Sequence, residues 1–207
     1  MIVLHIYIIG AAIAYIIGSF NPALLISNIQ KKDIRSHGSG NLGASNATIL
    51  LGWKSGFTVA ILDILKAFIP IMLTRILLSQ YALLPYIVAT CVILGHIFPF
   101  YLRFKGGKGF ATYMGAILGL SFIAFVVIGL IFLIVSFFSD YIVMGTFTVI
   151  TLFPVYLAVF TRNISFVSVI LIASVVIFFK HTENISKIKN KEEIGIRAAF
   201  SGKFKLK

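Results

Sequence analysis

The sequence predicts an all-α polytopic membrane protein, and three observations carry that reading. Of the 207 residues, 59% are hydrophobic and only 12% charged, about half the charged share of a soluble domain. Apolar runs of 18 residues or more recur along the chain, each long enough to cross a bilayer. The net charge of +12 gathers in the segments between those runs, the pattern that fixes topology by the positive-inside rule. The expectation is a single domain over residues 1–207 with seven transmembrane helices, some short or broken, the N-terminus outside and the C-terminus cytoplasmic. The basic segments can also attract anionic lipid or collect an anionic substrate. Nucleic acid is not expected as a partner, because the charges flank spans. The single cysteine, Cys91, permits neither an intrachain disulfide nor a cysteine metal cluster.

The first span is read from Ile2 to Ser27, a retained span because no basic n-region precedes it. Gly18, Asn21 and Pro22 break it, and breakers at membrane depth need protein or a wet cavity beside them. Ser19 and Asn21 therefore face a cavity, or the break is a simple kink; the sequence leaves both open.

The next segment holds Ser36 to Asn46, with three glycines, three serines, two asparagines and a histidine. Glycines let backbone N–H groups turn together towards an anion, and Ser39, Asn41, Ser45 and Asn46 add side-chain donors. This is a candidate phosphate cradle, or else a flexible polar connection. Lys31, Lys32, Arg35 and Lys54 place the segment in the cytoplasm.

The second span, Ser55 to Leu78, contains Asp63 and Lys66, three apart and so on one helix face. Ionisable groups inside a membrane usually face the bundle interior, and a structural ion pair is the favoured reading. The third span, Ala82 to Tyr101, ends in Gly95-His96 and leads into a basic glycine-rich stretch, Arg103-Phe-Lys-Gly106-Gly107-Lys108-Gly.

The run from Phe110 to Phe138 exceeds what a ~30 Å hydrocarbon core requires. Read as one helix, it leaves the eight basic residues from Lys180 onward outside, against the positive-inside rule. Two short helices broken near Gly119-Leu-Ser121 remove the conflict and give seven spans. The sixth covers Tyr141 to Phe160 and the seventh Ile164 to Phe179. A basic tail then opens at His181, with Asn184, Lys187 and Glu193 at the mouth of the span.

Three segments together resemble the bacterial acyl-phosphate:glycerol-3-phosphate acyltransferases, the PlsY-type membrane enzymes. Gly38-Ser-Gly-Asn-Leu-Gly-Ala-Ser-Asn46 is similar to G-S-G-N-x-G-A-T-N. Gly95-His-Ile-Phe-Pro-Phe-Tyr-Leu-Arg-Phe-Lys-Gly-Gly-Lys-Gly-Phe-Ala-Thr112 is similar to G-H-x-F-P-x-F-L-x-F-K-G-G-K-G-V-A-T. His181-x-x-Asn184-Ile-x-Lys187 with Glu193 is similar to H-x-x-N-I-x-R and its following glutamate. The resemblance implies a seven-helix fold in the bacterial inner membrane with its site on the cytoplasmic face. It also implies acyl transfer from acyl phosphate to the 1-hydroxyl of glycerol 3-phosphate in phospholipid synthesis, yielding lysophosphatidic acid and phosphate. Acyl phosphate and glycerol 3-phosphate are the expected substrates and membrane lipid the expected surroundings. Acyl phosphate is already activated, so no cofactor or metal is expected.

The implied substrate-binding residues are Ser39, Gly40, Asn41, Asn46, His96, Gly106, Gly107, Lys108 and Thr112, with backbone N–H groups of Gly40, Gly106 and Gly107 pointing into the cradle. His181, Asn184 and Glu193 are the catalytic set: His181 and Asn184 share one helix face and position the acceptor hydroxyl, and Glu193 orients one of them or a lysine. Four positions depart from the family pattern. Ile49 stands where an arginine of the phosphate site is expected, Lys187 replaces an arginine, Gly195 a lysine and Ser45 a threonine. If the site still takes phosphate, Arg35, Arg103 and Lys105 are the candidate replacement cations. A membrane anion or lipid-phosphate binding or transport protein without chemistry is the alternative function.

Overall fold

The computed structural model describes residues 2–36 and 38–201; His37 of the first glycine-rich stretch and the last six residues of the tail lie outside them. The described residues form helices and connecting turns, with no strand. The chain divides into two compact units, Met1–Ser121 and Phe122–Lys207.

In the first unit, α1 (Ile2–Ser19) and α2 (Pro22–Ile29) are separated at the break expected from Gly18, Asn21 and Pro22. Asn21 caps α2, its side-chain oxygen accepting the Leu24 N–H at 2.8 Å, and Pro22 takes the first helical position, where a missing N–H costs nothing. After the first glycine-rich loop come α3 (Ala44–Leu51) and α4 (Trp53–Leu77). A third long element, α5 (Leu84–Ile97), runs on into a short 3-10 turn, Phe100–Leu102. The last helix of the unit is α6 (Phe110–Leu120). Small residues set the packing. A methyl group on Gly18 would collide with the Val92 backbone, one on Gly95 with the Tyr15 carbonyl, and one on Gly115 with the Ile64 backbone. The α1–α5 and α4–α6 pairs therefore touch main chain to main chain, the close approach favoured where lipid supplies no hydrophobic drive between helices. Val59, Ala67, Ile71, Ala89, Val92, Ile93, Tyr113 and Ile117 fill the interior.

The second unit begins at the break expected near Ser121. Ser121 is extended (φ −154°, ψ 111°) and ends α6, and α7 (Phe122–Ser139) follows at once. Two helices, α8 (Ile142–Thr161) and α9 (Ile164–Lys189), complete the packed set, with a six-residue α10 (Ile196–Ser201) in the tail. Asn163 caps α9 by accepting the Ser165 and Phe166 N–H groups. The seventh span was expected to end at Phe179. Instead α9 runs ten residues further, because nothing between Phe179 and Lys189 breaks a helix and a Glu183–Lys187 pair at 2.6 Å supports its last turns. The third motif is thus helical, not the start of a tail.

Among the described residues, counting α1–α2 as one, six spans are long and apolar enough to cross a membrane, and α6, with 11 residues, is shorter. Phe122, Ile123, Val127, Leu130, Leu133, Ile134 and Phe137 of α7 are exposed, as a lipid-facing helix requires.

Candidate functional site

The first glycine-rich loop is held in shape by a buried asparagine. Asn46 donates to the Ile34 carbonyl (3.1 Å) and accepts the Ser39 N–H (3.1 Å), so its amide spans the loop from inside. Gly38 and Gly40 take left-handed backbone (φ 64° and 65°), which other residues adopt at a cost; these two turns bring Ser39 and Gly40 to the surface. Ser39 accepts the Asn41 N–H at 3.4 Å. At the other end, Asn21 donates to the Leu42 carbonyl (3.1 Å). Ser19 and Asn21 are both buried, Ser19 bonded to the Tyr15 carbonyl of its own helix. The break after α1 is therefore a capped kink that anchors the loop, with both side chains buried and bonded to backbone.

The second glycine-rich segment folds back on the end of α5. The Gly106 N–H donates to the Ile97 carbonyl (3.0 Å) and the Gly107 N–H to the His96 carbonyl (3.1 Å). A helix C-terminus leaves such carbonyls without partners, and these two N–H groups satisfy them. That corrects the expectation that both point into an anion cradle. Both glycines are needed for closeness: a methyl group on Gly106 would collide with the His96 carbonyl, and one on Gly107 with the His96 ring, 3.0 Å from the Leu42 carbonyl of the first loop. The two glycine-rich segments thus meet at Gly107 and Leu42. Two hydroxyls brace the junction, Tyr15 to the Phe98 carbonyl (2.6 Å) and Tyr101 to the Ser19 carbonyl (2.9 Å).

Between these segments lies a cavity of about 450 Å³ lined by Arg35, Gly40, Leu42, Tyr101, Leu102, Arg103, Lys105 and Gly106. The three cations put forward from the sequence as replacements for an arginine at position 49 therefore line one cavity. Arg103 and Phe104 both have left-handed backbone (φ 51° and 59°). Arg35 pairs with Asp33 at 3.5 Å, and the Arg35 N–H hydrogen bond holds the Asp33 carboxyl below its usual pKa. Lys108 follows Gly107 at the entry to α6. Thr112, in the first turn of α6, is fully buried, and its hydroxyl has no hydrogen-bond partner among the described residues.

Beneath the second segment, Lys66 Nζ lies 2.7 Å from Asp63 Oδ1, 2.7 Å from His96 Nδ1 and 2.8 Å from the Phe20 carbonyl. The buried ammonium is thus flanked by three polar groups; the contact with Asp63 Oδ1 is an ion pair without hydrogen-bond geometry among the described residues. His96 was expected to bind substrate; its ring is buried, with Nδ1 also 3.3 Å from Asp63 and its other edge against Gly107. An apolar helix sequence around Asp63 and Lys66 gives no sign of this third member, because its partner comes from another helix.

In the second unit, His181 is buried, its Nδ1 2.9 Å from the Ile177 carbonyl and its ring edge-on to Phe147 at 6.3 Å between centroids. With Nδ1–H donating to that carbonyl, the orientation of the imidazole is fixed by its own helix. Asn184 Nδ2 donates to Glu193 Oε1 at 2.7 Å. Of the partners the sequence allowed for Glu193, this contact selects Asn184, while Lys187 pairs with Glu183. The return that brings Glu193 back is made by the Glu192 and Glu193 N–H groups, both donating to the Lys187 carbonyl.

Long apolar helices joined to glycine-rich loops around a cationic cavity place this chain among integral membrane proteins that handle anions. The profile of the glycerol-3-phosphate acyltransferase family matches residues 8–191. A glycerol-3-phosphate acyltransferase of Pelagibacter ubique is 37% identical over 192 residues, covering 90% of this chain and 96% of that protein. Glycerol-3-phosphate acyltransferase 2 of Bacillus anthracis is 39% identical over 188 residues, covering 90% and 97%. The crystal structure of PlsY (YgiH), an integral membrane glycerol 3-phosphate acyltransferase, in its glycerol 3-phosphate form superposes with a TM-score of 0.88 at 27% identity, over 96% of this chain and 99% of that one. Its lysophosphatidic acid form gives 0.83 at 28%, over 91% and 94%. The chain belongs to the glycerol-3-phosphate acyltransferase family.

Proposed function

We propose that this protein transfers an acyl group from acyl phosphate to the 1-hydroxyl of glycerol 3-phosphate, the step that yields lysophosphatidic acid for phospholipid synthesis. The observation that carries the reading, beyond family membership, is the cavity in which Arg35, Arg103 and Lys105 stand beside both glycine-rich segments. Both substrates carry phosphate, and charge-assisted bonds to phosphate are the strong ones.

The acceptor oxygen bonds to the acyl carbon, the bond from that carbon to the phosphate oxygen breaks, and inorganic phosphate departs with the electron pair and takes up the hydroxyl proton. Ser39, Gly40, Asn41 and Lys108, with the three cations, hold phosphate; Asn46 keeps the first loop in shape, and His96 supports Gly107 from below. Thr112 offers its buried hydroxyl at the start of α6, whose first-turn N–H groups carry the positive end of the helix dipole. His181 and Asn184 orient the acceptor hydroxyl, and Glu193 fixes the Asn184 amide. The protein sits in the bacterial inner membrane as one domain of seven crossings, α6 being the short one, with the N-terminus outside and this chemistry on the cytoplasmic side. The positive-inside balance of the loops supports that orientation. A binding or transport protein without chemistry is not favoured, since the relatives are acyltransferases.

The test is phosphate release from acyl phosphate by the purified protein in lipid cubic phase, with and without glycerol 3-phosphate. Acceptor-dependent release is expected; its absence in well-folded protein rejects the reading. His181→Ala should still bind glycerol 3-phosphate but lose turnover, and unchanged turnover would remove His181 from the catalytic set.

A further inference from the structure

Asp140 is one of six acidic residues in the chain. It lies in the turn between α7 and α8 and has left-handed backbone, φ 65°. Its carbonyl accepts the Ile196 N–H at 2.8 Å, and its carboxylate Oδ1 accepts the Arg197 N–H at 2.9 Å. The Arg197 guanidinium reaches 4.0 Å from the same oxygen, 3.4 Å from the Phe137 carbonyl and 5.9 Å from the Phe137 ring centroid. A methyl group on Gly195, which is buried, would collide with Asp140 Oδ2. One residue therefore grips three consecutive positions of the tail, Gly195 to Arg197, two residues after Glu193.

Glu193 needs such a grip. Its N–H shares the Lys187 carbonyl with Glu192, and its carboxylate reaches Asn184, so its upstream side is tied to the end of α9. Without a second tie downstream, the return would hinge at Lys187. We propose that Asp140 is a positioning residue for acyl transfer: it clips residues 195–197 to the α7–α8 turn and thereby keeps the Glu193 carboxylate on the Asn184 amide. The proposal rests on the reading of Asn184 as an acceptor-orienting residue. It also gives Gly195 a reason, since the carboxylate fills the space a side chain there would need.

Two substitutions separate the clip from the turn. Asp140→Asn keeps an oxygen for the Arg197 N–H and tolerates left-handed backbone; Asp140→Gly suits the backbone and removes the acceptor. Hydrogen exchange reads the clip directly. In Asp140→Gly the Arg197 amide, which loses its carboxylate acceptor, should exchange at least about tenfold faster, while the Ile196 amide keeps the carbonyl of residue 140 and changes less; Asp140→Asn stays near wild type. In the acyl-transfer assay, kcat should fall about fivefold or more in Asp140→Gly. Added to Glu193→Ala it should cost less than about twofold further, because the carboxylate it positions is gone. Losses that multiply in the double variant, or full turnover in Asp140→Gly, would overturn the positioning role even if the amides open. Unchanged exchange would overturn the clip itself. If the wild-type protein shows no transfer at all, the functional reading fails, and the exchange experiment still decides whether the clip exists.

Discussion

The first unit keeps its cations in two ways. Lys66 is buried, and its ammonium lies within 2.7–2.8 Å of Asp63, His96 and the Phe20 carbonyl. Arg35, Arg103 and Lys105 are exposed around a cavity, and among the described residues the only carboxylate paired with them is Asp33. The first arrangement is internal and ties side chains of α4 and α5 to the backbone just after α1. The second has charge to spare, which is what an anionic substrate requires. Position along the chain does not separate the two roles; the difference lies in whether the protein itself uses up the hydrogen bonds.

Removing the ammonium from the buried cluster should have the largest effect. Lys66→Met leaves a buried carboxylate without its cation and should cost about 3–5 kcal/mol of stability, read as a lowered Tm in detergent; adding Asp63→Asn should restore part of it. A Lys66→Met protein with wild-type Tm would make the cluster look like the cavity. Lys108→Ala comes next: use of anionic substrate should weaken by more than about tenfold, the loss of one charge-assisted contact worth ~1.5–3 kcal/mol, with Tm unchanged. Arg103→Gln should raise the KM for a phosphate-bearing substrate by about fivefold, since exposed charge pairs are worth ~1 kcal/mol or less, and the increase should shrink in high salt. The smallest effect expected is a gain of about two- to threefold in activity from Ile49→Arg, because one more exposed cation is again worth ~1 kcal/mol or less. Loss of activity there would mean that the exposed cations already satisfy the phosphate.

Much of the fold was legible because it follows from local rules. Helix breakers at Asn21 and Pro22 end α1, and the excess length of the Phe110–Phe138 run together with the charge balance pointed to a break near Ser121, where α6 does end. The end of α9 was misread because hydropathy falls at Lys180 while helix-forming residues continue to Lys189. For the candidate site, residue type pointed to the right segments but not to the use of each group. Gly106 and Gly107 carry the composition of a phosphate loop, yet their N–H groups close the end of α5; only the fold-back, set by distant packing, could show that. Asp140 gave no signal at all, since its partners lie 56 and 57 positions away in sequence.

The main-chain contact between α1 and α5 bears on how variant libraries of this protein are read. Gly18 and Gly95 are not among the residues lining the cationic cavity, yet any side chain at either would push into the opposing backbone, which cannot step aside as a rotamer can. Gly106 and Gly107 are as crowded, against the carbonyl and ring of His96. In a scan scored by growth, all four should tolerate substitution as poorly as a residue that contacts the reacting atoms. Intolerance at the glycine-rich segment therefore does not locate substrate. Polar positions whose replacement leaves expression intact and abolishes turnover do, and they are the ones to follow outward from Ser39 and Lys108.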